Sequence, residues 1–256
     1  MSQFSYPSLR ALYIEVKRDE LVSKATGFVV LTSKGPHLIT NKHVVTGTNV
    51  NTRIVDWIPT HLAIHHHKKG ALGQWVVREE ELTIDNENVW VEHRALGAGA
   101  DFVAVPLKNL KDVDFYDVDL KNPFYSECES DRSRDFMLGP SDTVSIVGFP
   151  FGKSSSGYFP IWVTGFLASE LTADFEGLPV QLVDSRTRQG QSGSPVFAYR
   201  SGGSIPISVG ASCIFSGPVA KFIGVYSGRI NADSDLGRVW KTSALIELIT
   251  IIENGL

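Results

Sequence analysis

The stretch Gly190-Gln191-Ser192-Gly193-Ser194-Pro195-Val196-Phe197 decides how this chain is read. One serine stands among glycines at the end of a polar loop, and an apolar, strand-like run follows at once. A hydroxyl becomes a nucleophile only if a base takes its proton and donors stabilise the oxyanion that forms. Glycines serve the second need, because their backbones allow successive N–H groups to point at one spot. The base must then lie elsewhere, and Thr40-Asn41-Lys42-His43-Val44-Val45 supplies a histidine. Each motif alone has an ordinary reading: a Gly-x-Ser-Gly turn, or a histidine satisfied in the core or on the surface. Their conjunction points to nucleophilic catalysis.

Together the two motifs carry a family likeness. The chain resembles the trypsin-like (chymotrypsin-fold) serine peptidases, and within them the bacterial branch of glutamyl endopeptidases and HtrA/Deg proteases. Leu38-Ile39-Thr40-Asn41-Lys42-His43-Val44-Val45 is similar to the histidine motif of the glutamyl endopeptidases, and Gly193-Ser194-Pro195-Val196-Phe197 to their serine motif. Gly27-Phe28-Val29-Val30 resembles the strand before the histidine, and Val147-Gly148-Phe149-Pro150 the entry to the second barrel. Ile223-Gly224-Val225-Tyr226-Ser227-Gly228 resembles the strand lining the specificity pocket. The resemblance implies an all-β fold of two six-stranded antiparallel β-barrels with a C-terminal α-helix.

A nucleophile–base pair needs an acid to hold the imidazole in one tautomer. Asp101 fits best, in Gly99-Ala100-Asp101-Phe102-Val103-Ala104-Val105, where a small-residue turn leads into an apolar run. Asp85 and Asp112 lead less cleanly into such a run. The chain order His43, Asp101, Ser192 is that of the trypsins, and differs from the orders of subtilisins and α/β-hydrolases. The residue two after the serine is Ser194, where an α/β-hydrolase elbow wants glycine.

The resemblance also implies roles for further residues. The backbone N–H groups of Gly190 and Ser192 would form the oxyanion hole. Ser227 aligns with the serine behind the triad and is expected to hydrogen-bond Asp101. Thr187, Tyr226, Ser227, Gly228 and Arg229 fall at substrate-binding positions. Thr187 matches the glutamyl endopeptidase pocket, whereas Tyr226 stands where those enzymes carry histidine. Arg229 and Arg238 fall on or near the pocket strands. Either they face solvent, or they favour an acidic side chain before the cut. Gln191 replaces the acid that digestive trypsins use to bind a newly cut N-terminus, so activation by N-terminal cleavage is not expected. Control by a partner protein, an oligomer or a loop is expected instead, with residues 110–140 and 198–220 as long loops that could carry it.

Composition sets the bounds. A chain of 256 residues, 43% hydrophobic and 20% charged, can bury a substantial core. A net charge of −4 gives no general attraction to nucleic acid or anionic membrane. No apolar run reaches the length of a membrane span, and the first 20 residues lack a signal-peptide pattern. These features suggest a cytoplasmic protein, and the resemblance implies protein or peptide substrates. Two cysteines, Cys128 and Cys213, allow one bridge or two free thiols, and free thiols are the plainer reading.

The strand signals place a first barrel over about residues 1–115, a second over 140–241, and a helix over 242–254, all in one peptidase domain. Strands are expected at 12–16, 27–31, 37–40, 50–58, 74–77, 89–92 and 103–107, then at 144–148, 159–170, 180–184, 195–198, 208–213, 222–226 and 238–241. Leu245, Leu248, Ile249 and Ile252 share a helical face, with Thr242 or Ser243 as N-cap and Gly255 as terminator. His65, His66 and His67 read as an exposed basic loop, since neighbouring rings on a strand would point to opposite faces. No metal and no cofactor are expected. Two other functions share these motifs. One is a catalytically silent binding module on the same barrels, and the other an esterase with the same triad.

Overall fold

The computed structural model describes residues 4–255 apart from 50, 51, 53, 132, 133 and 232. After a 3-10 turn at Tyr6–Leu9, the first sheet opens with β1 (Leu12–Arg18), β2 (Leu21–Thr32) and β3 (Gly35–Thr40). These form an antiparallel meander with two-residue turns, Arg18 facing Leu21 and Thr32 facing Gly35. A single helical turn follows, α1 (Lys42–Thr46). The expected strand at 50–58 lies partly outside the described residues. Among those described, only an isolated Thr48–Val55 bridge stands there. β4 (His61–Lys68) pairs with β1 on one side and β5 (Trp75–Glu81) on the other.

β5 runs into a small hairpin, β6 (Thr83–Ile84) with β7 (Glu87–Asn88), and the chain returns as β8 (Val91–Glu92). β8 pairs with β9 (Val103–Pro106), which pairs with β3. Residues 75–92 thus run from a strand beside β4 to one beside β9, from one side of the first sheet to the other, and no ladder among the described residues joins β5 to β8.

Two short strands, β10 (Val113–Asp114) and β11 (Phe124–Ser126), break the expected long connection and pair with β4 and with a strand of the second sheet. The second sheet contains β12 (Thr143–Gly148), β13 (Ile161–Leu167), β14 (Val180–Asp184) and β15 (Pro195–Arg200). β16 (Gly203–Ser208) and β17 (Ala211–Phe215) form a separate hairpin. The segment 198–220, read as a loop with one strand at 208–213, is therefore largely a two-stranded arm. Its tip residue Val209 is 92% exposed. β18 (Val219–Arg229) and β19 (Leu236–Lys241) complete the sheet. The ladders β18–β15–β12–β13–β14–β19–β18 close a six-stranded barrel.

Side-chain alternation explains the near-continuous apolar runs. In β2, Ala25 and Val29 point into the first barrel, while Phe28 and Val30 join the layer between the barrels. In β15, Val196 and Ala198 fill the second barrel, and Phe197 enters the same shared layer. Strands buried on both faces cannot show a clean apolar–polar alternation. The helix α2 (Thr242–Asn254) adds Leu245, Leu248 and Ile249 to the shared layer. Its N-cap is Lys241, not Thr242 or Ser243, because Lys241 is still paired in β19 and its ammonium binds Asp174. Gly255, at φ +67°, ends the helix as expected.

The three histidines are corrected most sharply. His65, His66 and His67 lie in β4 and are 5%, 0% and 2% exposed. They are core, not a basic loop. His65 packs against Tyr13 and Tyr158. His67 donates from Nε2 to the Leu9 carbonyl at 3.1 Å. His66 shares the inward face with Leu62 and Ile64, and neither ring nitrogen has a partner among the described residues. Among the described residues no three histidine, cysteine or carboxylate side chains are grouped so that they could hold a metal ion.

Burial, with smaller contributions from His67, Arg78 and His65, lowers the His66 pKa from 6.5 to about 4. The unfolded chain therefore takes up the proton first. His66 supports the fold fully above pH 6.5, and that support is lost as pH falls toward 4, by roughly 3 kcal/mol. Urea unfolding of the wild type and His66→Leu at pH 7 and pH 4.5 should show a smaller acid loss in the variant. Equal losses would remove His66 from the account.

Candidate catalytic site at the junction of the barrels

The site is assembled from strand ends and the turns after them. β3 ends at Thr40, and α1 starts two residues later, which places His43 on a short rigid turn. Asp101 sits between the 3-10 turn Gly97–Gly99 and β9. The two meet directly: His43 Nδ1 lies 2.8 Å from Asp101 Oδ2 and 3.0 Å from Oδ1. The His43 backbone N–H donates to Oδ1 at 3.0 Å, and Ser227 Oγ donates to Oδ2 at 2.6 Å. The Asn41 side-chain amide donates to the Asp101 carbonyl at 2.6 Å, which pins the backbone as well.

Burial alone would raise the Asp101 pKa. The charge of His43, its ring and backbone N–H groups and the Ser227 hydroxyl outweigh burial and hold the carboxyl below its ordinary value. Asp101 is thus an ionised acceptor that fixes Nδ1 as the protonated nitrogen, which leaves Nε2 free to act as a base. Asp85 and Asp112 have no such role. Both sit at positive φ, and Asp112 pairs loosely with Arg78.

The serine loop is held to β2. Thr26 N–H donates to the Ser192 carbonyl at 2.9 Å, and Thr26 Oγ1 donates to the Gly190 carbonyl at 2.9 Å. The same hydroxyl accepts from Phe149 N–H, and the Thr26 carbonyl accepts from Thr40 Oγ1. Gly193 N–H donates to Tyr226 O, one residue before Ser227. Both Gly190 and Gly193 have positive φ, +93° and +83°. A Cβ at Gly193 would stand 2.1 Å from Thr26 O, and one at Gly190 2.4 Å from Phe149 O. Only glycine lets the loop approach this closely.

With their carbonyls engaged elsewhere, the Gly190 and Ser192 N–H groups donate to no protein acceptor among the described residues. Gln191 is fully buried and staples the loop from within, its Oε1 accepting from Arg188 N–H at 2.9 Å. The hydrogen bonds of His43 all run to Asp101, and none reaches Ser192. Catalytic contacts of this kind are often loose before a substrate is bound.

The expected substrate-binding residues fall into two groups. Thr187 and Tyr226 are buried, and their hydroxyls hydrogen-bond each other. Burial is the main cause that pushes the Tyr226 phenol up to about 12, so it is neutral near pH 7. Ser227, Gly228 and Arg229 form the end of β18, paired with β19 on one side and unpaired on the other. Arg229 and Arg238 are half-buried rather than solvent-facing, and they line a separate cleft beside Asp101. Cys128 and Cys213 are both free thiols.

The sequence reading missed Thr26, although its signal was visible. It is the one hydrogen-bonding side chain in Ala25-Thr26-Gly27-Phe28-Val29-Val30, and a polar group buried in such a run must find partners. It also missed Lys42, whose ammonium lies 2.5 Å from Glu92 Oε2 and ties the histidine turn to β8.

A family model described as a trypsin-like peptidase domain matches residues 25–205. No curated protein matches the chain. Among solved structures, a serine endoprotease from Yersinia pestis aligns with a TM-score of 0.54 at 12% identity, over 99% of this chain and 68% of its own. A thermostable serine protease, AL20, from an extremophilic microorganism aligns at 0.52 and 11% identity, over 98% of this chain and 100% of its own. At such identities the likeness is one of fold.

Thr26→Val keeps the shape but leaves the Gly190 carbonyl and the Phe149 N–H without their partner. It is expected to cost about 1–3 kcal/mol in urea unfolding, and Thr26→Ser to restore most of that. A silent Thr26→Val would show that the clamp does not hold the loop.

Proposed function

Since the chain belongs to the trypsin-like peptidase domain family, a family of serine endopeptidases, we propose that it cuts peptide bonds with His43, Asp101 and Ser192 through an acyl-enzyme. The observation that carries this reading is the three-donor clamp of Asp101, which also orients His43. His43 Nε2 takes the Ser192 proton as Oγ attacks the peptide carbonyl. The oxyanion is received by the free N–H groups of Gly190 and Ser192. The imidazolium, stabilised by Asp101, then protonates the leaving amine. A water molecule, activated by the same histidine, releases the acyl group.

Peptide substrates are favoured over small esters by the unpaired edge of β18 at Ser227–Arg229. An extended chain can add a strand there, its N–H and C=O groups pairing with the exposed backbone. The histidine and serine motifs favour the glutamyl endopeptidase and HtrA branch. Residues 1–256 act as one peptidase domain. The internal staple of Gln191 supports a loop that needs no newly cut N-terminus, so control falls to a partner, an oligomer or a loop.

A fluorophosphonate should label the wild type at Ser192. Ser192→Ala should abolish labelling and lower peptide turnover by on the order of a million-fold. Retained cleavage by a pure Ser192→Ala sample would refute the assignment. A wild type that neither labels nor cleaves would favour the silent binding module.

Asp101→Asn places an amide where the carboxylate accepts from His43 and Ser227, so an N–H donor can hold His43 in the wrong tautomer, with Nδ1 as acceptor. Turnover should fall by about ten-thousand-fold, with urea stability changed far less. If activity survives while another acid proves essential, Asp101 is not the triad acid.

A further inference from the structure

We propose that the cleft formed by Arg229, Arg238 and Trp240 binds an acidic side chain of the substrate, upstream of the residue at the cut. This inference rests on the peptidase reading and extends it to a substrate class.

The cleft encloses about 100 Å³. That is on the order of three water molecules, the scale of a carboxylate with its adjoining methylene. It opens beside the unpaired edge of β18, since Ser227, Gly228 and Arg229 all line it. A peptide paired with that edge turns alternate side chains toward the cleft. Phe175 and Leu178 supply apolar walls that exclude water from an ion pair formed there.

Three donors point to an anion. Arg229 is half-buried, and its guanidinium has no ion pair or hydrogen bond among the described residues. A guanidinium cannot shed its charge, and partial burial without a counter-ion is costly. Trp240 is 2% exposed, and its Nε1 is buried without an acceptor among the described residues. Arg238 has one carboxylate neighbour, Glu176, at 4.0 Å, and the Glu176 side chain is 65% exposed. Such a pair is worth little, so it leaves Arg238 open to a second partner.

Two carboxylates line the cleft with the two arginines, and neither neutralises them fully: Glu176 is largely in solvent. Asp101 also lines it, but that carboxylate is engaged by His43 and Ser227. A basic side chain would meet two guanidinium groups, with only the solvent-screened Glu176 to offset them. The pocket elements Thr187 and Tyr226 do not line this cleft and present only neutral hydroxyls. The arginines therefore act on a residue other than the one at the cut.

Matched peptides carrying Glu, Gln or Lys upstream of one cleavage site test the inference. The wild type should prefer Glu to Gln in kcat/KM by about tenfold and disfavour Lys, and the preference should shrink with salt. In the double variant Arg229→Gln, Arg238→Gln the Glu-to-Gln ratio should fall to about one. The same ratio should appear in Kd when peptides ending at the cut are titrated into the Ser192→Ala protein. Equal use of Glu and Gln by an active enzyme overturns the inference and leaves the peptidase reading intact. Preference for Lys overturns it too. If no peptide is cleaved but Glu peptides still bind more tightly through the two arginines, the peptidase reading fails and the acidic subsite stands.

Discussion

Thr26 is the point on which the site depends. Its N–H, hydroxyl and carbonyl make four hydrogen bonds: two to the serine loop, one from Phe149 beyond β12, and one from Thr40 in its own barrel. All lie in a water-poor environment, since Thr26 is fully buried. A buried polar group left without a partner costs more than a made hydrogen bond contributes. The clamp is therefore close to all-or-none. It spends the Gly190 and Ser192 carbonyls on β2 and leaves their N–H groups free. The constraint that joins the barrels also sets the direction of the loop's unused donors.

The loop can meet that constraint only through glycine. At Gly190 and Gly193 both the sign of φ and the close approach of backbone exclude a side chain. Gln191, between them, holds the turn through its own amide. The loop is thus ordered by contacts within the chain and needs no charged anchor. Electrostatics then concentrates on Asp101, where three donors overcome burial and keep the carboxylate charged. A buried charge with fewer partners would be unstable there.

The shared apolar layer explains why the two barrels act as one frame. Phe28, Phe102, Phe149, Phe197 and Phe222 are buried in it, each projecting from an element of one barrel toward the other. Two facing rings, Phe28 and Phe222, have centroids 5.3 Å apart. Close packing of this kind transmits little slack. His43 and Asp101 on one side, and Ser192 and Ser227 on the other, are positioned by strands that meet in this layer.

Much of the candidate site was legible in the sequence because the proposed chemistry is carried by local motifs. His43, Asp101 and Ser192 stand at abrupt changes from polar turn to apolar strand, and the Gly190–Gly193 spacing marks a tight loop. The two-barrel order and the C-terminal helix were legible for a similar reason, since short apolar runs and a helical stripe are local patterns. What the sequence could not determine depends on partners distant in the chain. A run of three histidines looks basic and exposed, yet pairing with β1 and β5 buries all three. A stretch rich in serine and glycine became an arm, because β16 and β17 satisfy each other's backbone. Whether Arg229 and Arg238 faced solvent or a cleft turned on the packing of residues 175–180 against β18 and β19, which no local pattern encodes. Sequence alone determined which residues are candidates for the chemistry, through spacing and composition. Tertiary structure decided which of them meet, because burial and hydrogen-bond partnership are properties of neighbours in space.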